Sequence, residues 1–101
     1  MALTGSQRKY LRGLAHGLKP VVLVGRGGVS AALLEELDQA LESHELIKVR
    51  FNGFKEEKKD LIGEMARVTG AVAVGLIGHI AILFRPRRDP DKRMLQVPKN
   101  P

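Results

Sequence analysis

Val21-Val22-Leu23-Val24-Gly25-Arg26-Gly27-Gly28-Val29-Ser30 is the stretch on which the reading of this chain turns. Four apolar residues, three of them β-branched, predict a short buried strand. A loop of three glycines and one arginine follows, and a long helical pattern begins behind it. Glycine lets another backbone approach closely. The start of a helix adds unpaired N–H groups and a partial positive charge. Arg26 adds a full charge on a planar fork of donors. Strand, bare loop and helix start in that order make a seat for a phosphate group. A nucleotide cofactor does not fit that seat. Gly25 to Gly28 is neither G-x-G-x-x-G nor a loop ending in G-K-[ST], and the next strand carries Lys48 and Arg50 where a dinucleotide site needs an acid.

Upstream, Thr4 and Gln7 have the spacing of a capping box and open a helix over residues 5–17. Wound as a helix, Leu3, Gln7, Tyr10, Leu11, Leu14 and Leu18 fall on one side, while Arg8, Lys9, Arg12 and His16 fall on the other with Lys19 in line. Exposed helix faces ordinarily mix signs, because opposite charges three or four apart support each other. This face holds no acid. It reads as a track for a polyanion backbone, with a merely solvated face as the plainer alternative. Downstream, a second helix over about 30–43 has Val29, Leu33, Leu34, Leu37, Ala40 and Leu41 as its core stripe. Glu35, Glu36, Asp38 and Glu42 line its back, so a phosphate would meet only its N-terminal end. His44, on the apolar side near its end, reads as a packed or capping residue.

Glu45 to Phe51 alternates as a strand, with Ile47, Val49 and Phe51 on one face and Lys48 and Arg50 on the other. Asn52-Gly53 marks a turn. A third helix over 56–69 buries Leu61, Ile62, Met65 and Val68, and its charges are balanced. Ala71 to Ile77 and His79 to Phe84 read as a hairpin about Gly78. The expected fold is α/β, in the order α-β-α-β-α-β-β, with two layers and a four-stranded mixed sheet. The folded domain is expected over 1–86 and a basic, flexible tail over 87–101. Residues 85–101 hold four of the five prolines, and six Lys and Arg against two Asp.

The 101 residues suit one domain. There are 17 Lys and Arg against 11 Asp and Glu, a net charge of +6, which points to a polyanionic partner such as nucleic acid. Without cysteine there are no disulfides and no thiolate sites. His16, His44 and His79 stand apart, serines and threonines sit at caps and turns, and paired carboxylates occur only on helix faces. No enzyme activity, metal or cofactor is expected. Phe51 and Phe84 alternate into the core, Tyr10 edges an apolar side, and Phe54 is expected to be exposed in its loop. Base stacking is therefore a minor contribution, and recognition rests on backbone phosphates and shape. No stretch nears the roughly 20 apolar residues that span a bilayer, and the start of the chain lacks a signal-peptide core. A cytoplasmic monomer without membrane contact is expected.

Four motifs carry a family likeness: Leu3-Thr4-Gly5-Ser6-Gln7-Arg8-Lys9-Tyr10-Leu11-Arg12, Val24-Gly25-Arg26-Gly27-Gly28-Val29, Glu45-Leu46-Ile47-Lys48-Val49-Arg50-Phe51, and Gly75-Leu76-Ile77-Gly78-His79 running into Leu83-Phe84-Arg85-Pro86. Over residues 2–86 the chain resembles the CRM (chloroplast RNA splicing and ribosome maturation) domain in its stand-alone, bacterial YhbY-like form. The resemblance implies an RNA-binding module with a fold like the C-terminal domain of translation initiation factor three. It also implies association with ribosomal RNA in precursors of the large ribosomal subunit. The family's Gly-x-x-Gly loop, similar to that of KH domains, maps onto Gly25, Arg26, Gly27 and Gly28 as a clamp on RNA backbone. Arg8, Lys9, Arg12 and Lys19 would extend that track, with Lys48 and Arg50 as further contacts. A general nucleic-acid module that also takes DNA, and a protein adaptor using the acidic back of the second helix, are the alternatives.

Overall fold

Thr4 Oγ1 accepts from the Gln7 N–H at 3.1 Å and Gln7 Oε1 accepts from the Thr4 N–H at 2.9 Å, so the capping box opens α1 (Gly5–Ala15) as its spacing predicts. The computed structural model describes residues 2–54 and 56–98. After α1 come β1 (Pro20–Val24), α2 (Ala31–His44), β2 (Leu46–Phe51), α3 (Lys58–Thr69), β3 (Val72–Ile77) and β4 (Ile80–Phe84). Ser30 caps α2 by accepting from the Leu33 N–H at 3.1 Å. The strands form one mixed sheet in the order β1-β2-β4-β3. Strand β1 runs parallel to β2, and β4 is antiparallel to both of its neighbours. Consequently β1, β2 and β3 point the same way, and their carboxyl ends emerge at one end of the sheet.

The α/β class and the mixed four-stranded sheet are as expected, but the layering is not. Leu33, Leu37 and Leu41 of α2 and Ile62 and Met65 of α3 pack on one face, against Val22, Val24, Ile47, Val49, Phe51, Ala81 and Leu83. On the opposite face Leu11 and Ala15 of α1 pack against Leu46, Val74, Ile82 and Phe84. The sheet is thus sandwiched, rather than forming the sheet half of two layers. Strand β4 explains the difference. Ile80-Ala81-Ile82-Leu83-Phe84 is apolar at every position, and a central strand of that composition needs cover on both sides.

The loose tail expected from residue 87 is also corrected. Glu45 follows α2 with φ 64° and is wholly buried. Its Oε2 accepts the Arg87 N–H at 2.7 Å, and its Oε1 accepts those of Met94 and Leu95 at 2.7 and 2.8 Å. The Arg87 guanidinium donates to the carbonyls of Glu42 and Ser43, each at 2.9 Å, where a helix end favours a cation. Leu95 and Val97 then pack beside α1, and Gln7 Nε2 donates to the Pro98 carbonyl at 2.7 Å. Residues 87–98 form a strap that completes the α1 layer. The last three residues of the expected tail, 99–101, lie outside the described residues.

Candidate nucleic-acid interface

At the carboxyl end of β1 the Gly28 N–H donates to the Gly25 carbonyl at 3.0 Å, closing a tight turn with Arg26 and Gly27 at its tip. The three glycines are there for different reasons. Gly28 has φ 62°, the left-handed region that side chains avoid, and a Cβ there would lie 3.8 Å from the Phe54 ring. Gly25 and Gly27 lie outside that region and nothing would touch their Cβ atoms, so the fold itself does not demand glycine at either. Arg26 is exposed and forms no ion pair among the described residues. Phe54 is half-buried with φ 60° and packs against the core beside Gly28, where the sequence suggested an exposed ring. It buttresses the turn instead of offering a stacking platform. The first turn of α2 carries no acid, and its caps engage only the N–H groups of Leu33 and Leu34. An anion at the turn meets donors, a guanidinium without an ion pair among the described residues, and no acid in the first turn of α2.

Of the remaining basic candidates, Lys19 and Arg50 line the two ends of one groove along β1, which Glu36 shares, and the others lie apart from it. Arg50 is exposed near the carboxyl end of β2, within the same region as the turn. Lys19 is exposed at the opposite end of β1, a strand length or roughly 15 Å away. Lys48 is half-buried, and its Nζ donates to the carbonyls of Leu18 at 3.0 Å and His16 at 3.4 Å, closing the C-terminal end of α1. Helix α1 sits rotated from the expected orientation. Leu11 and Ala15 are buried, Tyr10 and Leu14 are partly exposed, and Arg8 and Arg12 lie across β3. Arg8 Nη1 donates to the Ala73 carbonyl at 3.1 Å and Arg12 Nη1 to that of Val74 at 3.4 Å. Both carbonyls fall where the β3–β4 register shifts, between Ala73 and Gly75. Their aliphatic stems cover apolar surface, as long basic side chains do. Lys9 alone of the helix-one arginines and lysines is exposed and without such a bond among the described residues.

Sequence reasoning missed Arg85. It is buried at the end of β4, with Nη1 2.6 Å from Asp38 Oδ1 and 2.9 Å from the Thr69 carbonyl, and Nη2 3.0 Å from Glu42 Oε1. Arg88 Nη2 also lies 2.6 Å from Asp38 Oδ1. Hydrogen bonds from Arg88 and then Arg85 hold the Asp38 carboxyl below its ordinary range. Two of the four acids on the back of α2 are therefore already partnered, while Glu35 and Glu36 stay exposed. His44, expected to pack or cap, is exposed. A cation directly following an all-apolar strand was the available clue to Arg85. Among the described residues no three His, Asp or Glu side chains gather in a metal-binding group, and no helix is long and apolar enough to cross a membrane.

The model of the CRS1/YhbY (CRM) domain matches residues 3–85, nearly the whole folded unit. The chain belongs to that family. A Haemophilus influenzae relative named "RNA-binding protein" is 42% identical over 98 residues, covering 96% of each chain. A Pseudomonas aeruginosa relative named a "probable RNA-binding protein" is 34% identical, covering 96% of this chain and 94% of its own. A solution structure of a Staphylococcus aureus protein, described as a candidate RNA-binding protein, has a TM-score of 0.76 at 34% identity. It matches 94% of this chain and 100% of its own. The CRM match stops at Arg85, so this domain's buried arginine lies within it and the strap lies beyond.

Proposed function

We propose that this CRM protein is a non-catalytic, monomeric RNA-binding protein of the cytoplasm that engages ribosomal RNA in precursors of the large subunit. It works without metal or cofactor. The single observation behind this reading is the Gly25–Gly28 turn. Two of its glycines are not required by the fold, an exposed unpaired arginine stands at its tip, and an acid-free helix start lies behind it. A surface stripped of side chains suits the close approach of another backbone, and Arg26 supplies a donor fork for a phosphate. Relatives named as RNA-binding proteins support the choice of RNA over other polyanions.

The test pairs binding with sedimentation. Arg26→Glu is expected to keep the thermal midpoint of the wild type and to lower affinity for a labelled large-subunit precursor transcript at least about tenfold at moderate salt. Wild-type protein in cell extract at low magnesium is expected to co-sediment with large-subunit precursors, and the variant to stay at the top of the gradient. Equal binding of the folded variant would remove the turn from the interface. Equal affinity for duplex DNA would replace RNA with nucleic acid in general.

A further inference from the structure

Besides the Gly25–Gly28 turn, the carboxyl end of the sheet carries the β3–β4 hairpin tip, which the reading above leaves without a role. The Phe51 N–H donates to the His79 carbonyl at 2.8 Å and the Asn52 N–H to the Val24 carbonyl at 2.9 Å. These two bonds chain the tip, the end of β2 and the turn after β1 into one continuous rim. Strands β1 and β4 both flank β2, so turn and tip stand about two strand spacings apart, roughly 10 Å. Three observations single the tip out. Ile77 is 66% exposed, the highest value among the large apolar side chains exposed here. His79 is exposed. Lys58, at the start of α3, donates from Nζ to the Gly78 carbonyl at 2.8 Å and lies 3.4 Å from His79 Nδ1. The Nδ1 side of the ring therefore faces the Lys58 ammonium. The imidazole is thereby oriented with Nε2 directed away from Lys58.

We propose that the Gly78–His79 hairpin tip is a second anchor for the RNA held at the Gly25–Gly28 turn, with His79 Nε2–H donating to a backbone phosphate and Ile77 covering the adjoining ribose. Lys58 is a positioning residue that fixes the tip and the imidazole. The contact acts through a directed hydrogen bond. An RNA strand must span turn and tip together for the anchor to engage.

The proposal rests on the RNA-binding reading, and the experiment separates the two. Binding of wild type, Arg26→Glu, His79→Ala, His79→Gln and Lys58→Met is measured against single-stranded RNA oligonucleotides of increasing length over a salt series. His79→Ala is expected to lose about tenfold in affinity for the long oligonucleotides and nothing for the shortest. Its salt slope is expected to match the wild type, since the contact removed is one directed hydrogen bond, whereas Arg26→Glu flattens the slope. His79→Gln, which keeps a side-chain N–H, recovers much of the loss, and Lys58→Met shows the same length dependence in weaker form. Equal affinity of wild type and folded His79→Ala at every length overturns the anchor while leaving the turn in place. A loss of equal size at all lengths also overturns it, as does failure of the wild type to bind any of the RNAs, which removes the underlying reading as well.

Discussion

Replacing Glu45 by glutamine changes one oxygen into an amino group and tests what holds the strap. In the wild type, Oε2 accepts the Arg87 N–H and Oε1 accepts those of Met94 and Leu95, inside a site closed to water. Glutamine in the same rotamer keeps the carbonyl for Met94 and Leu95 and turns its NH2 toward the Arg87 N–H. Two donors then face each other, and the lost bond costs about 1–3 kcal/mol. The two surviving bonds lose an ionised acceptor and weaken by roughly half, about 1 kcal/mol between them. A buried amide is cheaper to desolvate than a carboxylate, which returns part of that loss. The net destabilisation is about 2 kcal/mol, or roughly 10 °C in a domain of this size. Urea denaturation reads the energy, and hydrogen exchange at residues 87, 94 and 95 reads the strap. The sign of the pH dependence follows from the carboxyl. Burial raises its pKa, but the N–H groups of Arg87, Leu95 and Met94 outweigh burial and hold it below the ordinary 4.5. Its stabilisation is present above that value and lost as pH falls through the lower folded value, so the two proteins converge in acid. A change under about 0.5 kcal/mol, with unaltered exchange at those three amides, would show that the carboxylate does not hold the strap.

The glycines of the turn separate fold from function. Gly27→Ala is expected to leave stability within roughly 0.5 kcal/mol of wild type and to lower RNA affinity about tenfold or more, because only an incoming backbone would meet the new methyl group. Gly28→Ala is expected to cost about 1–2 kcal/mol by forcing a left-handed alanine beside Phe54. Unchanged RNA binding by Gly27→Ala would place the RNA away from the turn. Arg85→Leu is expected to destabilise the domain by about 2–3 kcal/mol, below the cost of breaking a fully buried pair because Asp38 and Glu42 reach water. A loss under about 1 kcal/mol in denaturant titration would show that the network is energetically a surface feature.

Much of what depended on neighbours in sequence was legible, although Val68, expected in the buried stripe of α3, is 46% exposed and Thr69 is buried there instead. The Thr4–Gln7 box, the Ser30 cap, the alternation of β2 and the hairpin about Gly78 all involve residues a few positions apart, and all stand as read. The larger misreadings involve partners far along the chain. Glu45 gave no sign of its role because the three N–H groups it holds lie 42 to 50 residues later. The strap looked loose because the N–H groups of Arg87, Met94 and Leu95 are held by one distant carboxylate rather than through a periodic pattern. Helix α1 was turned on its axis because a wheel scores Arg8 and Arg12 as polar, although their stems are apolar enough to lie across β3. For the same reason two cations of that helix, Arg8 and Arg12, lie against β3, while the loop, whose glycine pattern is local, stands at the end of β1 as read.

An open sheet has a liability that its own interior cannot remedy. Strand β3 is an edge, and an edge with free carbonyls invites a strand from another molecule. The guanidinium groups of Arg8 and Arg12 already occupy the Ala73 and Val74 carbonyls, and the local irregularity in register bends the ladder there. Two arginines laid along the border of the sheet present positive charge to any approaching copy, which disfavours strand pairing at β3.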